Sequence, residues 1–252
     1  LGDVYKRQGE GQAAVLQAGG LISLVGYGGY GTGVYNDGID ITDYRLSSVG
    51  DLRISALAGL GLNQFGFFAK ASTLEAGGVF DIRGAAGQGG FGSNDFGIYV
   101  KQTSLSSYAL TQDPSLPRVN VLRGDVNVND AIPFSAASGG IYFSGAGGAA
   151  PSIVTLSDLV IQGSTGEAFT AFGISLEDAS LQVGFEGFAD AVNLRMEGHV
   201  SKTSPFAVLP SELGAFGLSQ TIYGLSLDGL AVASTGAIGI VGSIDQDANA
   251  SP

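Results

Sequence analysis

The 252-residue chain has no cysteine, no tryptophan and a single histidine. The absence of cysteine excludes disulfide bonds, thiolate metal sites and a cysteine nucleophile. Charged residues make up only 13% of the chain, about half the usual share. Basic residues are scarcer than acidic residues, 11 against 23. This balance argues against nucleic acid as a partner, because phosphate binding needs a basic surface.

The chain also lacks a long uninterrupted hydrophobic run. Its uncharged stretches are broken by glycine or proline, or they fall short of the ~20 residues that a membrane-spanning helix needs, so we expect no transmembrane helix. Glycine is in excess, with 42 residues and no three-residue period, and this pattern excludes collagen. Hydrophobic residues make up 44% of the chain, which is enough to build a core.

The first eight residues differ from the rest of the chain. Asp3 to Gln8 resembles the in-frame translation of a transposase-type sequencing adapter, and it contains two adjacent basic residues. We therefore expect residues 1–8 to be foreign to the natural protein and set them aside in reasoning about the fold. We expect residues 9–252 to form a single β-rich domain that belongs to a longer chain.

Apolar and polar residues alternate with a period of two in most of the chain, as in residues 38–46, 181–186 and 192–197. This period is typical of strands with one face on a core and the other in water. We predict an all-β fold of mainly antiparallel short strands, built as an extended sheet, a sandwich or an irregular β-solenoid. At most one or two short helices are expected, and the best candidate is 204–218. Pro210 is suited to the start of a helix there, and Glu212 is suited to its first turn.

Three short segments share one pattern: GIDITDYRL (38–46), GISLEDASL (173–181) and GLSLDGLAV (224–232). In each, an acidic residue interrupts the alternation, and these residues are Asp43, Asp178 and Asp228. A short side chain with an acceptor oxygen is suited to a tight turn, a bulge or a corner between strands. We predict a structural role at all three positions. The copies lie at irregular intervals, which argues against a solenoid of fixed period.

Residues 26–31 match the G-x-G-x-x-G pattern of dinucleotide-binding loops. That motif needs a following helix whose N-terminal amides bind pyrophosphate, and here a strand and a turn are predicted instead. We therefore interpret the match as a chance result of the glycine content and expect no nucleotide cofactor.

His199 is the only histidine, and it shares a predicted strand face with Glu197 and Ser201. A histidine beside a carboxylate can perform acid–base chemistry. The G-x-S-x-G elbow of many hydrolases does not occur in the sequence, so an exposed strand edge is the favoured interpretation.

Paired carboxylates could indicate a glycosidase, and Glu177, Asp178 and Glu186 are the candidates. Glu177 and Asp178 coincide with a predicted corner, which favours a structural role. We expect no catalytic residues and no enzymatic activity.

Asp245, Asp247 and Asn249 have the alternating oxygen ligands of a calcium loop. No glutamate closes the loop, and the expected glycine is replaced by Ala250. Weak calcium binding is therefore the only cofactor interaction that the sequence indicates, and a solvated acidic turn is the alternative interpretation.

The three corner segments, together with the acidic, glycine-rich composition, resemble large cell-surface proteins of Gram-negative marine bacteria. More narrowly, they are similar to pilus-system proteins of the FilF-like type. The resemblance implies an exported β-protein of the outer envelope or extracellular surface, associated with other surface or pilus subunits. The resemblance assigns no function to individual residues of this chain.

We therefore expect a non-enzymatic surface or pilus-associated protein with a structural or adhesive function. Two alternatives remain open at this point. One is an outer-membrane β-barrel, for which the alternation is suitable but the strands are short and interrupted. The other is a secreted polysaccharide-active enzyme built on a β-scaffold.

Overall fold

The computed structural model describes residues 13–29, 35–59, 61, 63–87, 94–108, 118–127, 137–166, 168, 170–185, 191–201 and 221–245. These residues form β-strands joined by turns and irregular connections, and none of them is helical. The prediction of an all-β fold is confirmed. The helix candidate at 204–218 lies outside the described residues.

The strands form three sheets, which we name A, B and C. Sheet A contains β1 (Ala14–Ala18), β4 (Tyr44–Ser48), β7 (Thr73–Ala76), β10 (Ser104–Ser107), β13 (Ser152–Thr155), β16 (Ser180–Val183) and β19 (Ala231–Ser234). Sheet B contains β2 (Ile22–Tyr27), β5 (Leu52–Leu57), β8 (Phe80–Gly87), β11 (Val119–Asn127), β14 (Asp158–Thr165), β17 (Leu194–Val200) and β20 (Ile238–Ile244). Sheet C contains β3 (Ile39–Thr42), β6 (Asn63–Lys70), β9 (Asn94–Lys101), β12 (Ala137–Ser144), β15 (Thr170–Glu177) and β18 (Thr221–Asp228).

The chain visits the sheets in the order A, B, C and then returns to sheet A one strand further along. Each such circuit is one coil of a three-sided β-solenoid, and every strand pairs in parallel with its counterpart in the next coil. The coils differ in length: Leu52 pairs with Phe80 in the next coil, whereas Ser180 pairs with Ala231. The second of these coils is nearly twice as long as the first.

The prediction of antiparallel strands is wrong, because all three sheets are parallel. A period of two reports only that one face of a strand is buried, and it does not distinguish parallel from antiparallel pairing. Parallel sheets usually carry helices on both faces and lack this alternation. In a solenoid, one face of each parallel sheet lines the core while the other faces outward, so the alternation survives.

The core consists of rows of inward-facing side chains that run through successive coils. In sheet A, one row is almost entirely leucine; in sheet C, another contains Phe67, Ile98, Ile141 and Ile174, all fully buried. The row in sheet A comprises Leu16, Leu46, Leu74, Leu105, Ile153, Leu181 and Val232. Stacking like residues in register buries each side chain between those of its two neighbours.

Two rows of glycine bring sheets B and C into backbone contact. In sheet C, the residue before each inward Phe67, Ile98, Ile141 and Ile174 is glycine. In sheet B, one row is glycine in every strand except at Ala56: Gly26, Ala56, Gly84, Gly124, Gly163, Gly198 and Gly242. A Cβ atom on Gly84, Gly124, Gly163 or Gly198 would collide with the carbonyl oxygen of a glycine in sheet C. Ten of the 42 glycines belong to these two rows, so the close approach of the two sheets explains part of the glycine content.

The corners between sheets C and A contain residues with a left-handed backbone. Asp43 has a φ of 59° and Asp178 a φ of 49°, and each directly follows a strand of sheet C. Ala71, Gln102 and Gly229 occupy the corresponding positions of other coils, also with positive φ. Asp228 is instead the last residue of β18, and the left-handed residue of that coil is Gly229. The third copy of the sequence pattern is in register with the second, but its acidic residue lies one position before the left-handed corner residue.

Candidate binding surface

The outer face of sheet C carries two rows of aromatic side chains. Phe68, Tyr99 and Tyr142 are directly paired on β6, β9 and β12, and they form the first row. Phe65 and Phe96 are paired in the second row, which Phe172 of β15 continues. The four strands therefore place six rings on one face.

The rings pack against one another at contact distance. The ring centroids of Phe65 and Phe96 are 5.7 Å apart and stacked, and those of Tyr99 and Tyr142 are 5.1 Å apart and stacked. Phe65 and Phe96 are buried, whereas Phe68, Tyr99 and Tyr142 are only partly buried. The rings of the phenylalanine row are thus largely shielded from solvent, and the row with the two tyrosines is accessible to solvent.

Gly139 allows the phenylalanine row to continue across β12. In the register of sheet C, Gly139 lies between Phe96 and Phe172. A Cβ atom on Gly139 would overlap the ring of Phe172. Because this position has no side chain, the rings of Phe96 and Phe172 stack with centroids 5.7 Å apart although their strands are not neighbours.

A charged row lies beside the tyrosines. Lys70 and Lys101 occupy one end of this row, and Glu177 and Asp228 occupy the other, with Ser144 between them. The Tyr142 hydroxyl donates a hydrogen bond of 2.8 Å to Glu177 Oε2. Burial and this hydrogen bond raise the pKa of Tyr142 to about 12. Burial and the charge of Glu177 also raise the pKa of Tyr99. Both hydroxyls therefore stay protonated at neutral pH, and the proton of Tyr142 is the one donated to Glu177.

This arrangement is suited to binding an extended ligand. Flat, partly exposed rings provide apolar contact area with little loss of side-chain entropy. The neighbouring hydroxyl, ammonium and carboxylate groups can satisfy the polar groups of a ligand. An extended molecule lying across the strands would meet an aromatic ring on each of the three successive strands that carry Phe68, Tyr99 and Tyr142, about every 4.8 Å.

The outer face of sheet B is polar, and its charges are paired within strands. Arg53, Arg83, Arg123 and Arg195 each contact a carboxylate two residues away in the chain. Exposed pairs of this kind contribute about 0–1 kcal/mol each to stability. Their main consequence is that this face carries no large excess of positive charge.

His199 lies on this face and contacts Ser243 of β20 and Asp245, which directly follows β20. Its Nδ1 is 2.9 Å from Ser243 Oγ, and its Nε2 is 3.6 Å from Asp245 Oδ2. Glu197 accepts hydrogen bonds from Gln162 and Arg195 instead, and these lower its pKa. The His199 ring thus contacts Ser243 and Asp245, and not the residues that share its predicted strand face, Glu197 and Ser201. The side chains of His199 and Asp245 are 41% and 46% exposed, on an open strand surface.

The other candidate residues are not gathered into one site. Asp178 occupies a corner, and Glu177 lies in register with Asp228 on the outer face of sheet C. Glu186 lies outside the described residues. Of the calcium candidates, Asp245 directly follows β20, and Asp247 and Asn249 are outside the described residues. Within the described part of the chain, no group of three or more histidine and acidic residues could hold a metal ion.

The glycine motif at 26–31 begins in a strand. Gly26 belongs to β2 and to the glycine row of sheet B, where a Cβ would collide with the backbone of Gly38. Residues 30–34 lie outside the described part of the chain. The first glycine of the match is therefore explained by sheet packing.

Sequence reasoning missed the aromatic surface, although a signal was present. NQFGFFAK (63–70) and NDFGIYVK (94–101) are two copies of one pattern, with asparagine, phenylalanine, glycine and lysine at equal spacing. ASGGIYFS (137–144) and TAFGISLE (170–177) are weaker copies. Alignment of these segments would have placed the rings in register on neighbouring strands.

Comparison of the chain with protein-family models, curated proteins and solved structures finds no match in any of the three. Among the described residues there is also no helix that could cross a membrane, as the sequence predicted.

Proposed function

We propose that the chain is a non-enzymatic structural and adhesive module of a bacterial cell surface, and that the outer face of sheet C binds polysaccharide. The observation that carries this proposal is the pair of aromatic rows, in which Tyr99 and Tyr142 stack beside the charged row. A solenoid that places aromatic rings on several successive strands is suited to holding an extended polymer.

The chemistry of this face favours a glycan over other polymers. Sugar rings have apolar C–H faces that pack on aromatic rings, and their hydroxyl groups can bond to Glu177, Lys101 and the tyrosine hydroxyls. Nucleic acid is disfavoured because the chain has a net charge of −12. The ammonium group of Lys101 supplies donors for sugar hydroxyls, and the carboxylate of Glu177, which already accepts a hydrogen bond from Tyr142, supplies a further acceptor oxygen.

Among the described residues, the pair that comes closest to a catalytic arrangement supports a non-enzymatic function. His199 and Ser243 lie on the outer face of neighbouring strands, where their side chains are open to water. Catalytic groups usually act in sites that exclude water, which strengthens their electrostatic effect.

The proposal of a surface location is supported by composition and by the resemblance described above. The chain has no cysteine, and its acidic residues outnumber its basic residues by 23 to 11. An acidic surface with few lysines keeps a protein soluble in a salty exterior, where charge repulsion is screened.

Binding to a panel of immobilised polysaccharides tests this function. The variant Tyr99→Ser/Tyr142→Ser replaces both rings by the residue that Ser175 provides in the same row of β15. Tyr108→Ser, at an exposed tyrosine outside sheet C, is the matched control. We expect the double variant to lose at least tenfold in affinity for the polysaccharide that the wild type binds, and the control to bind normally.

Two results would count against the proposal. One is a double variant that binds as tightly as the wild type, which would place binding elsewhere. The other is release of reducing sugar ends from the same panel, which would favour the polysaccharide-active enzyme.

A further inference from the structure

Lys70 and Lys101 place two like charges side by side at one end of the charged row of sheet C. Lys70 is the last residue of β6 and Lys101 the last residue of β9, and the two are directly paired in the register of the sheet. Because neighbouring strands lie about 4.8 Å apart, the two side chains start close together. Like charges opposite each other on a sheet face are destabilising. The chain alone therefore gains nothing from this pairing.

No carboxylate neutralises the two lysines within the part of the chain that the structure describes. Asp40, which is in register with Phe68 on β3, accepts a hydrogen bond of 2.7 Å from Thr42 Oγ1 and forms no ion pair with Lys70. The arginines behave differently, and five of them form ion pairs with carboxylates: Arg45, Arg53, Arg83, Arg123 and Arg195. The lysines lie where the chain passes from sheet C to sheet A, and every residue of these connections is described.

Each lysine follows an aromatic ring on the same strand face. Phe68 precedes Lys70 by two residues on β6, and Tyr99 precedes Lys101 by two residues on β9. Two residues along a strand correspond to about 7 Å, within reach of a long side chain. Two neighbouring strands thus repeat one arrangement, an accessible ring with an ammonium group beside it. A ligand that matches this repeat has a flat apolar face and one negative charge in each of two successive units.

We propose that the outer face of sheet C binds polysaccharides that contain uronic acids, with the carboxylates of two successive sugar residues at Lys70 and Lys101. This inference rests on the function proposed above and specifies the class of polysaccharide. A uronic acid carries one carboxylate at a fixed position beside its apolar ring face, which matches one ammonium group beside one ring. Two bound carboxylates would also remove the repulsion between the lysines, because each ammonium group then has a counter-charge.

The rest of the charged row limits the anionic sugars to β6 and β9. Glu177 and Asp228 are paired in the same row on β15 and β18, and Ser144 of β12 separates them from Lys101. A ligand carboxylate beyond Ser144 would meet these like charges. The net charge of −12 has less influence on the lysine pair, because charges more than about 10 Å away are largely screened at 0.1 M salt.

Binding of the full chain to polygalacturonate and to its carboxyl-reduced form tests the inference. The reduced polymer has a hydroxymethyl group in place of each carboxylate and is otherwise the same. Lys70→Gln/Lys101→Gln removes both ammonium charges and keeps long side chains. Arg53→Gln/Arg83→Gln, on the outer face of sheet B, is the matched control, because it removes the same amount of charge elsewhere.

We expect the wild type and the arginine control to bind polygalacturonate roughly tenfold more tightly than the reduced polymer. The lysine variant should bind the two polymers about equally. Lys70 is exposed and Lys101 half-buried, so the lysine variant should unfold at the temperature of the wild type or at a higher one, since a repulsion is removed. Thermal unfolding therefore separates a loss of binding from a loss of folding.

Three results would overturn the inference and leave the aromatic surface in place as a glycan site. One is a lysine variant that still prefers polygalacturonate, and another is a wild type that binds both polymers equally. The third is a wild type that binds dextran sulfate but not polygalacturonate, which would assign the lysines to sulfate esters. In each case Tyr99→Ser/Tyr142→Ser still reports on the proposed function by itself. A wild type that binds none of the polysaccharides overturns both the inference and the proposed function.

Discussion

The backbone at Gly124 in sheet B lies against the backbone at Gly140 in sheet C so closely that no Cβ atom fits between them. The pair belongs to the two glycine rows that hold these sheets together. Any side chain at Gly124 must push against the carbonyl group of Gly140, which its strand holds in place. The glycine is thus required by the distance between two sheets and not by a turn.

We expect Gly124→Ala to lower the free energy of unfolding by about 2–3 kcal/mol, the upper part of the usual range for overpacking. Gly19→Ala is the matched control, because a Cβ at Gly19 meets nothing within 4 Å. Chemical denaturation of both variants measures the difference. Equal effects at the two positions would show that the sheets do not contact each other as described.

The backbone conformation at the corners predicts that alanine substitution at Asp43 and at Asp228 lowers stability by different amounts. Asp43 is left-handed, and alanine tolerates this conformation less well than aspartate, so Asp43→Ala should lower the free energy of unfolding by about 0.5–1 kcal/mol. Asp228→Ala should have a smaller effect, because the left-handed residue there is Gly229. Ala71→Asn should raise stability by about 0.5–1 kcal/mol, since asparagine adopts the left-handed region more readily than alanine.

Thermal and urea unfolding of these three variants would measure the differences. Ala231→Asn, at an exposed position within β19, is the control that should give no gain. If Asp228→Ala cost as much as Asp43→Ala, the effect would come from the carboxylate rather than from backbone conformation.

Asp37 should make stability depend on pH. Burial raises its pKa from 3.8 to about 6, with a smaller contribution from the charge of Asp40, and against the opposing effect of the hydrogen bond from the Phe65 N–H. Folding therefore favours the protonated carboxyl. Its contribution to stability is complete below about pH 4 and is lost as the pH rises through about 6.

Asp37→Asn stays neutral and keeps an acceptor for Phe65. Its free energy of unfolding relative to the wild type should increase between pH 4 and pH 7 by an amount of the order of 1 kcal/mol, allowing for partial exposure of the site. Denaturation at a series of pH values provides the measurement. Asp40→Asn should keep most of the pH dependence, with a slightly lower midpoint. Parallel pH profiles for Asp37→Asn and the wild type would contradict this explanation.

The alternation of side chains was sufficient to predict strands with one buried face, but not how the strands pair. Residues 38–46 contain β3 and the first three residues of β4, and the alternation breaks at Asp43, where the chain turns from sheet C to sheet A. A hairpin and a solenoid corner have the same local signature there, because both need a short residue that tolerates a left-handed backbone. Pairing is decided by contacts between residues far apart in the chain, such as Leu52 with Phe80, which no local pattern reports.

The period of the solenoid was hidden by insertions. Asn63 pairs with Asn94, which is 31 residues further along the chain, but Asn94 pairs with Ala137, which is 43 residues further along. The candidate binding surface was missed for the same reason, since the Tyr99 and Tyr142 segments become comparable only after the insertions are removed. His199 could be identified as the only histidine, but its contacts with Ser243 and Asp245 depend on a strand that is distant in sequence.

Parallel, in-register pairing of successive coils is the claim on which the proposed binding surface depends, and spin-label distances test it directly. The chain has no cysteine, so pairs of introduced cysteines can be labelled without background. Val119 of β11 pairs with Asp158 of β14. Ser164 of β14 pairs instead with Asp125, which lies six residues along β11 from Val119, so Val119 and Ser164 are about 20 Å apart. We predict strong dipolar broadening of the electron paramagnetic resonance spectrum for labels at 119 and 158 and weak broadening for labels at 119 and 164. The reverse result, with 119 and 164 close together and 119 and 158 far apart, would mean antiparallel pairing and would contradict the account.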